Sequence, residues 1–322
     1  MALPESGVFL FHRNVLWRFS DRRDSFQSAD RKAETICGRK YSDSCLRGNQ
    51  GSHPGCTGKS GIQIPFLCAL PLGESLGRAP EGNGNTFRET EKTKKIIGAE
   101  VLSRLNSESE GVLTPGSFLS AVDSVGINDK FDYYIFEKNC KWISNNKEQR
   151  ENYVYTINFS RTTLCDPLFA KNIIDTIEKY NLKYESLAIE ILEDKNVTGN
   201  SREYMKNNLL ALKEKGISIL LDDFGSGFTA FGDLQSFAID TVKVDKSIIK
   251  NSNTETGFAI LKNIIQTAKD IGLKTVCEGI ETKEEERVAV EVGCDMLQGY
   301  YYYRPMKVSQ LEGLFDSGIE RV

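Results

Sequence analysis

Apolar residues along this chain gather in short runs that stop at a polar side chain, and amphipathic stretches lie between those runs. Residues 217–227, Ile-Ser-Ile-Leu-Leu-Asp-Asp-Phe-Gly-Ser-Gly, show the pattern most clearly: an apolar run ends in Asp222 and Asp223 and passes into a glycine-rich loop. Runs at 95–100, 153–158, 187–190, 241–245, 273–278 and 296–300 repeat it, carrying Glu100, Asn158, Glu190, Lys243 with Asp245, Glu278 and Gln298. Runs of about four to eight residues bounded in this way predict buried strands. Between them, 167–180, 204–215, 257–272 and 283–293 have helical periodicity. Strands that alternate with helices predict a parallel sheet. The expected fold is α/β, a TIM-like (β/α) barrel whose functional residues collect at the carboxyl ends of its strands.

Paired carboxylates at the end of an apolar strand have no use in a packed core, so Asp222 and Asp223 point to a divalent-metal site. Neighbouring side chains of a strand diverge, and two adjacent aspartates can therefore serve two cations, as phosphoryl-transfer chemistry often requires. A strand-end aspartate taken alone is more often a helix cap or turn former. Recurrence of oxygen ligands on successive strands reverses that weighting. Other features stay with ordinary structure: Glu284, Glu285 and Glu286 suit the amino-terminal turn of a helix. Gly225 and Gly227 suit a tight turn, and Tyr300 to Tyr303 suit packing against the barrel wall.

The motifs run in a set order: Glu100-Val-Leu-Ser-Arg104, Asn158-Phe-Ser160, Glu190-Ile-Leu-Glu193, Asp222-Asp-Phe-Gly-Ser-Gly227, Lys243-Val-Asp245, Glu278-Gly-Ile-Glu281, Gln298-Gly-Tyr300 and Arg304-Pro305. In this order they resemble the EAL-domain cyclic di-GMP phosphodiesterases, over roughly residues 93 to 309. The resemblance implies one metal held by Glu100, Asn158, Glu190 and Asp222, and a second held by Asp222, Asp223 and Glu278, with Mg²⁺ or Mn²⁺ suited to hard oxygen ligands. It implies catalytic roles for Glu100, Lys243 and Glu278, with Lys243 beside the attacking water and Glu278 as a second candidate for the proton acceptor. Arg104 would grip a substrate phosphate, Gln298 would line the substrate site, and Glu193 and Glu281 would hold the glycine-rich loop. The implied reaction opens one phosphodiester of cyclic di-GMP to give linear pGpG, in a cytoplasmic homodimer. The alternative is a catalytically inactive cyclic di-GMP receptor that signals through a protein partner.

This chain departs from the family pattern at Leu192, at Phe228, Thr229 and Ala230, and at Leu105, none of which is an implied ligand. A larger departure precedes the barrel. Where the family has a first strand with a glutamine-proline signature, residues 84–91 read Gly-Asn-Thr-Phe-Arg-Glu-Thr-Glu. A barrel short of its first strand is expected, unless residues 61–72 supply that strand despite two prolines. Residues 1–90 also hold nine arginines and three lysines, against seven and 22 afterwards, which suggests a low-order leader of different origin before a barrel at 91–322. A regulatory tail is the other reading of that segment.

Composition narrows the remaining choices. A net charge of −4 gives no reason to expect duplex nucleic acid as a partner. No apolar run has the length of a membrane span, and the start lacks the basic region of a signal peptide. The eight cysteines show no close zinc-site pairs, so reduced thiols are expected. His12 and His53 are the only histidines, which excludes histidine chemistry from the barrel.

Overall fold

The computed structural model describes residues 96–107, 111–192, 197–225 and 230–316, together with four short strands nearer the amino terminus. It divides into two compact units, Met1–Gln63 with Ser103–Gly126 and Ile64–Leu102 with Ile127–Val322. Strands are numbered along the chain. In the first unit, β1 (Val8–Phe11) and β2 (Val15–Arg18) form an antiparallel pair. There, β3 (Gly61–Gln63), β6 (Arg104–Ser107) and β7 (Gly111–Leu113) form an antiparallel sheet in the order β3-β6-β7, followed by a helix at Pro115–Val125.

The second unit is built on an eight-stranded sheet. Its strands are β4 (Phe66–Pro71), β5 (Ile96–Val101), β8 (Val154–Phe159), β9 (Leu187–Leu192), β10 (Ser218–Phe224), β11 (Thr241–Val244), β12 (Lys274–Cys277) and β13 (Met296–Leu297). They lie in the order β13-β12-β11-β10-β9-β8-β5-β4, and β5 with β8 to β13 run parallel. Helices at Asn128–Ser144, Phe169–Lys179, Gly199–Glu214, Glu255–Asp270 and Lys283–Glu291 connect them. Covered on both faces, such strands are apolar almost throughout, and Leu187 to Ile191 are all buried. Part of the core lies between sheet and helices, where Val244, Cys277 and Leu297 meet Leu261, Ile265 and Val288. This is the curled parallel sheet of a TIM-like barrel, as the strand and helix pattern predicts.

The edge next to β5 differs from the expected gap. β4, from within residues 61–72, pairs there in antiparallel fashion, with Phe66 opposite Val101 and Leu67 opposite Glu100. Its prolines do not obstruct the pairing, because Pro65 precedes the strand and Pro71 is its last residue. β13, at the other end of the sheet, comes within an 8 Å Cα separation of β4, so the two ends of the sheet approach each other. Strands β1 to β4 all fall in the segment whose composition predicts low order.

Two local expectations meet their physical cause. Thr282 caps the helix Lys283–Glu291, accepting from the Glu285 amide, while the Glu285 carboxylate accepts from the Thr282 amide at 2.9 Å. The acidic run thus starts a helix through a capping box. Tyr302 packs beside that helix and donates to Glu286 at 2.6 Å. Among the described residues Cys140, Cys165, Cys277 and Cys294 are free thiols. Among the described residues no helix is long and apolar enough to cross a membrane.

Candidate functional site

Strand register decides which side chains face one another. Residues in register on parallel strands point to the same face, as do residues two apart on one strand. Glu100 is in register with Thr156, two before Asn158, and Asn158 is in register with Glu190. Glu190 matches Leu220, two before Asp222, and Leu220 matches Thr241, two before Lys243. Lys243 matches Val276, two before Glu278, and Val276 matches Met296, two before Gln298. Glu100, Asn158, Glu190, Asp222, Lys243, Glu278 and Gln298 therefore share one face at the carboxyl ends of seven strands.

Lys243 stands at the centre of this set. Its side chain is 2% exposed, and its Nζ lies 3.5 Å from Glu100, 3.1 Å from Glu190, 2.9 Å from Asp222 and 2.5 Å from Glu278. Burial opposes its charge, but the surrounding carboxylates outweigh burial and hold the ammonium well above the usual lysine range. The carboxylates respond unequally. Burial, with repulsion from Glu100, pushes Glu190 up to about 8, and burial also drives Glu278 well above the usual carboxylate range. Burial works in the same direction on Asp222, yet Lys243 and its hydrogen bonds prevail and the net shift is downward.

Asp223 has the wrong parity for this face. A register shift between Leu221 and Phe224, together with a left-handed φ of 54° at Asp223, brings it back. One oxygen each from Asp222, Asp223 and Glu278 then lie within 4.8 Å of one another. Burial and the nearby Asp222 and Asp245 raise Asp223 to about 6. A non-glycine residue at such a φ stores roughly 1 to 2 kcal/mol. Asp223→Gly is accordingly expected to raise the melting temperature of metal-free protein by a few degrees while weakening Mn²⁺ binding at least about tenfold. Thermal melts and calorimetric titration check both halves, and an unchanged Mn²⁺ affinity would remove Asp223 from the site.

The amide groups of the set carry their own information. Asn158 Nδ2 donates to Glu100 at 3.0 Å and Gln298 Nε2 donates to the other Glu100 oxygen at 2.7 Å. Each amide is thus turned so that its oxygen, Asn158 Oδ1 or Gln298 Oε1, is buried without a hydrogen-bond donor. Buried acceptors with no donor, beside several carboxylates, match the needs of a hard divalent cation. The oxygen set fits Mg²⁺ or Mn²⁺.

Arg104, Glu281 and Asp245 each have a partner of their own. Arg104 opens β6 in the first unit, where its guanidinium donates to the Ser103 carbonyl at 2.8 Å. Glu193 lies outside the described residues. Glu281 is exposed and lies 3.6 Å from Lys250. Asp245 caps the helix Lys246–Lys250 through the Ser247 amide at 2.9 Å. Gly279 lets Glu278 turn into the site, with φ 69°, and a Cβ there would lie 2.4 Å from Lys246 Cβ. The pairing of Arg161 with Asp233, buried at 2.5 Å, was not visible in the sequence, because no spacing links residues on separate elements.

The EAL domain family model matches residues 90–305. The chain belongs to the EAL domain family. This EAL domain is 31% identical over 218 residues to the uncharacterised protein Rv1354c of Mycobacterium tuberculosis, a match covering 67% of this chain and 35% of that protein. It is 27% identical over 212 residues to the cyclic di-GMP phosphodiesterase RocR of Pseudomonas aeruginosa, covering 66% of this chain and 54% of RocR. The chain therefore spans between about a third and about a half of the length of these relatives. Among solved structures, the EAL domain protein of Listeria monocytogenes EGD-e superposes with a TM-score of 0.66 at 25% identity, over 80% of this chain and 93% of that one.

Proposed function

We propose that this EAL domain hydrolyses one phosphodiester of cyclic di-GMP to linear pGpG, using two Mg²⁺ or Mn²⁺ ions. The observation that carries the reading is the single face shared by Glu100, Asn158, Glu190, Asp222 and Glu278, whose four carboxylates surround Lys243, with Asp223 bent onto it. Glu100, Asn158, Glu190 and Asp222 would hold one ion, and Asp222, Asp223 and Glu278 the other. Bound there, the ions would acidify water and offset phosphate charge. Arg104 would grip a phosphate oxygen pair with its planar fork.

Proton handling divides between two residues. Lys243, whose Nζ lies 2.5 to 3.5 Å from four carboxylates, would present its side-chain nitrogen to the phosphate and the attacking water. Glu278, whose carboxylate lies 2.5 Å from Lys243 Nζ, is the second candidate for the proton acceptor. The Asn158 and Gln298 amides orient Glu100.

Chromatography of products from cyclic di-GMP incubated with Mn²⁺ or Mg²⁺ tests this reading. Formation of pGpG is expected, and loss with EDTA or with Glu100→Ala. Binding of the dinucleotide without any pGpG from the wild type would replace the enzyme with a receptor.

A further inference from the structure

Arg161 lies three residues beyond Asn158 and is buried, with its side chain 6% exposed. Its Nε donates to the carbonyl of Leu192, the last residue of β9, at 3.0 Å, and its Nη2 donates to Asp233 at 2.5 Å. Asp233, with a side chain 1% exposed, belongs to the helix Ala230–Ser236, which follows β10. Arg202, from the helix Gly199–Glu214 after β9, lies 3.5 Å from the same carboxylate and donates to the Ser236 hydroxyl at 2.7 Å. Its guanidinium also lies 4.8 Å over the Phe237 ring. One guanidinium thus joins the connections that leave β8, β9 and β10, the strands of Asn158, Glu190 and Asp222.

A buried ion pair is poor evidence of stabilisation, since apolar residues of similar volume often serve as well. What the arginine fork adds is direction, because it fixes two acceptors at set angles. Metal sites respond to support beyond the ligands: partners hydrogen-bonded to ligands typically change affinity or activity by about 10 to 100-fold, and a clamp on the segments that carry the ligands acts one step further out. We propose that Arg161 and Asp233 are positioning residues, a clamp that holds the carboxyl ends of β8, β9 and β10 at the spacing their oxygen ligands need. The proposal rests on the metal-site reading above.

The test uses the whole chain and two variants, the double replacement Arg161→Met with Asp233→Leu and the single change Arg161→Lys. The double replacement removes both buried charges together and is expected to melt within a few degrees of the wild type. Its Mn²⁺ affinity, read by titration calorimetry, and its kcat are each expected to fall about 10 to 100-fold, with KM for cyclic di-GMP nearly unchanged. Arg161→Lys keeps a positive charge near Asp233 but cannot span to Leu192, and a smaller loss of Mn²⁺ affinity is expected. A folded double variant with wild-type Mn²⁺ affinity and kcat would overturn the clamp. If the double variant does not fold, wild-type values for Arg161→Lys overturn it instead. A wild type that neither binds Mn²⁺ nor turns over would overturn the metal-site reading itself, and the clamp with it.

Discussion

Glu190→Gln is expected to lower cyclic di-GMP hydrolysis by at least about a thousandfold and, at the same time, to stabilise the metal-free protein at alkaline pH. Glu190 is fully buried, and its carboxyl is raised to about 8, by burial first and repulsion from Glu100 second. A carboxyl whose folded pKa is raised binds more protons in the native state. Its stabilising contribution is complete below the unfolded value, about 4.3, and is lost as pH rises through about 8. Glutamine does not titrate, so the variant escapes that loss. The difference in melting temperature between variant and wild type should widen from pH 5 to pH 8 and level off above. Melts across that range in EDTA measure it, and parallel curves would show that Glu190 does not titrate in this window. The opposite signs of the two effects mark a residue kept for chemistry at a cost in stability.

Much of this site can be read from the chain before any fold is known. A strand that ends in a polar residue announces its carboxyl end, and Glu100, Asn158, Glu190, Asp222, Glu278 and Gln298 all sit within two residues of the ends of their strands. What the one-dimensional pattern lacks is phase: only register shows that these positions share a face with Lys243. Asp223 illustrates the limit, because alternation alone assigns it to the opposite face, and a register shift with a positive φ reverses the assignment. The helix Asn128–Ser144 was not read from periodicity, and its buried stripe explains why. Asp132 and Asn139 lie on that stripe beside Ile135, Phe136 and Ile143, so polar residues interrupt the apolar spacing. Asp132 is satisfied there by the Ser160 amide at 3.0 Å and the Thr163 hydroxyl at 2.6 Å, partners some 30 residues away that no local pattern reveals. The helix Gly199–Glu214 begins before the apolar pattern at 204 for a related reason: its first turn, Gly199 to Arg202, is wholly polar. Strand β4 was legible as an apolar run, but its antiparallel direction follows from the path of the chain and not from its composition.

Lys243→Met should have the largest effect on the metal-free fold. Methionine preserves most of the stem's volume and removes only the ammonium, so packing loss is small. What remains is Glu100, Glu190, Asp222 and Glu278, whose oxygens now lie 2.5 to 3.5 Å from Nζ, with no cation among them. Breaking one side of a buried charge cluster costs about 3 to 5 kcal/mol, or a fall of about 10 °C in melting temperature for a unit of this size. Some of that cost is relieved as the carboxylates take up protons, and Glu190 and Glu278 are already shifted upward. The deficit should therefore shrink as pH is lowered from 8 to 5. Mn²⁺ should reverse it, and should raise the melting temperature of the variant more than that of the wild type, because the ammonium no longer competes for the same oxygens. Turnover is not expected to return with stability if Lys243 acts on phosphate and water as proposed. A variant that melts with the wild type in both EDTA and Mn²⁺ would mean that Lys243 does not neutralise this cluster. Recovery of stability without recovery of turnover would separate its two tasks, holding the carboxylates together and serving the reaction.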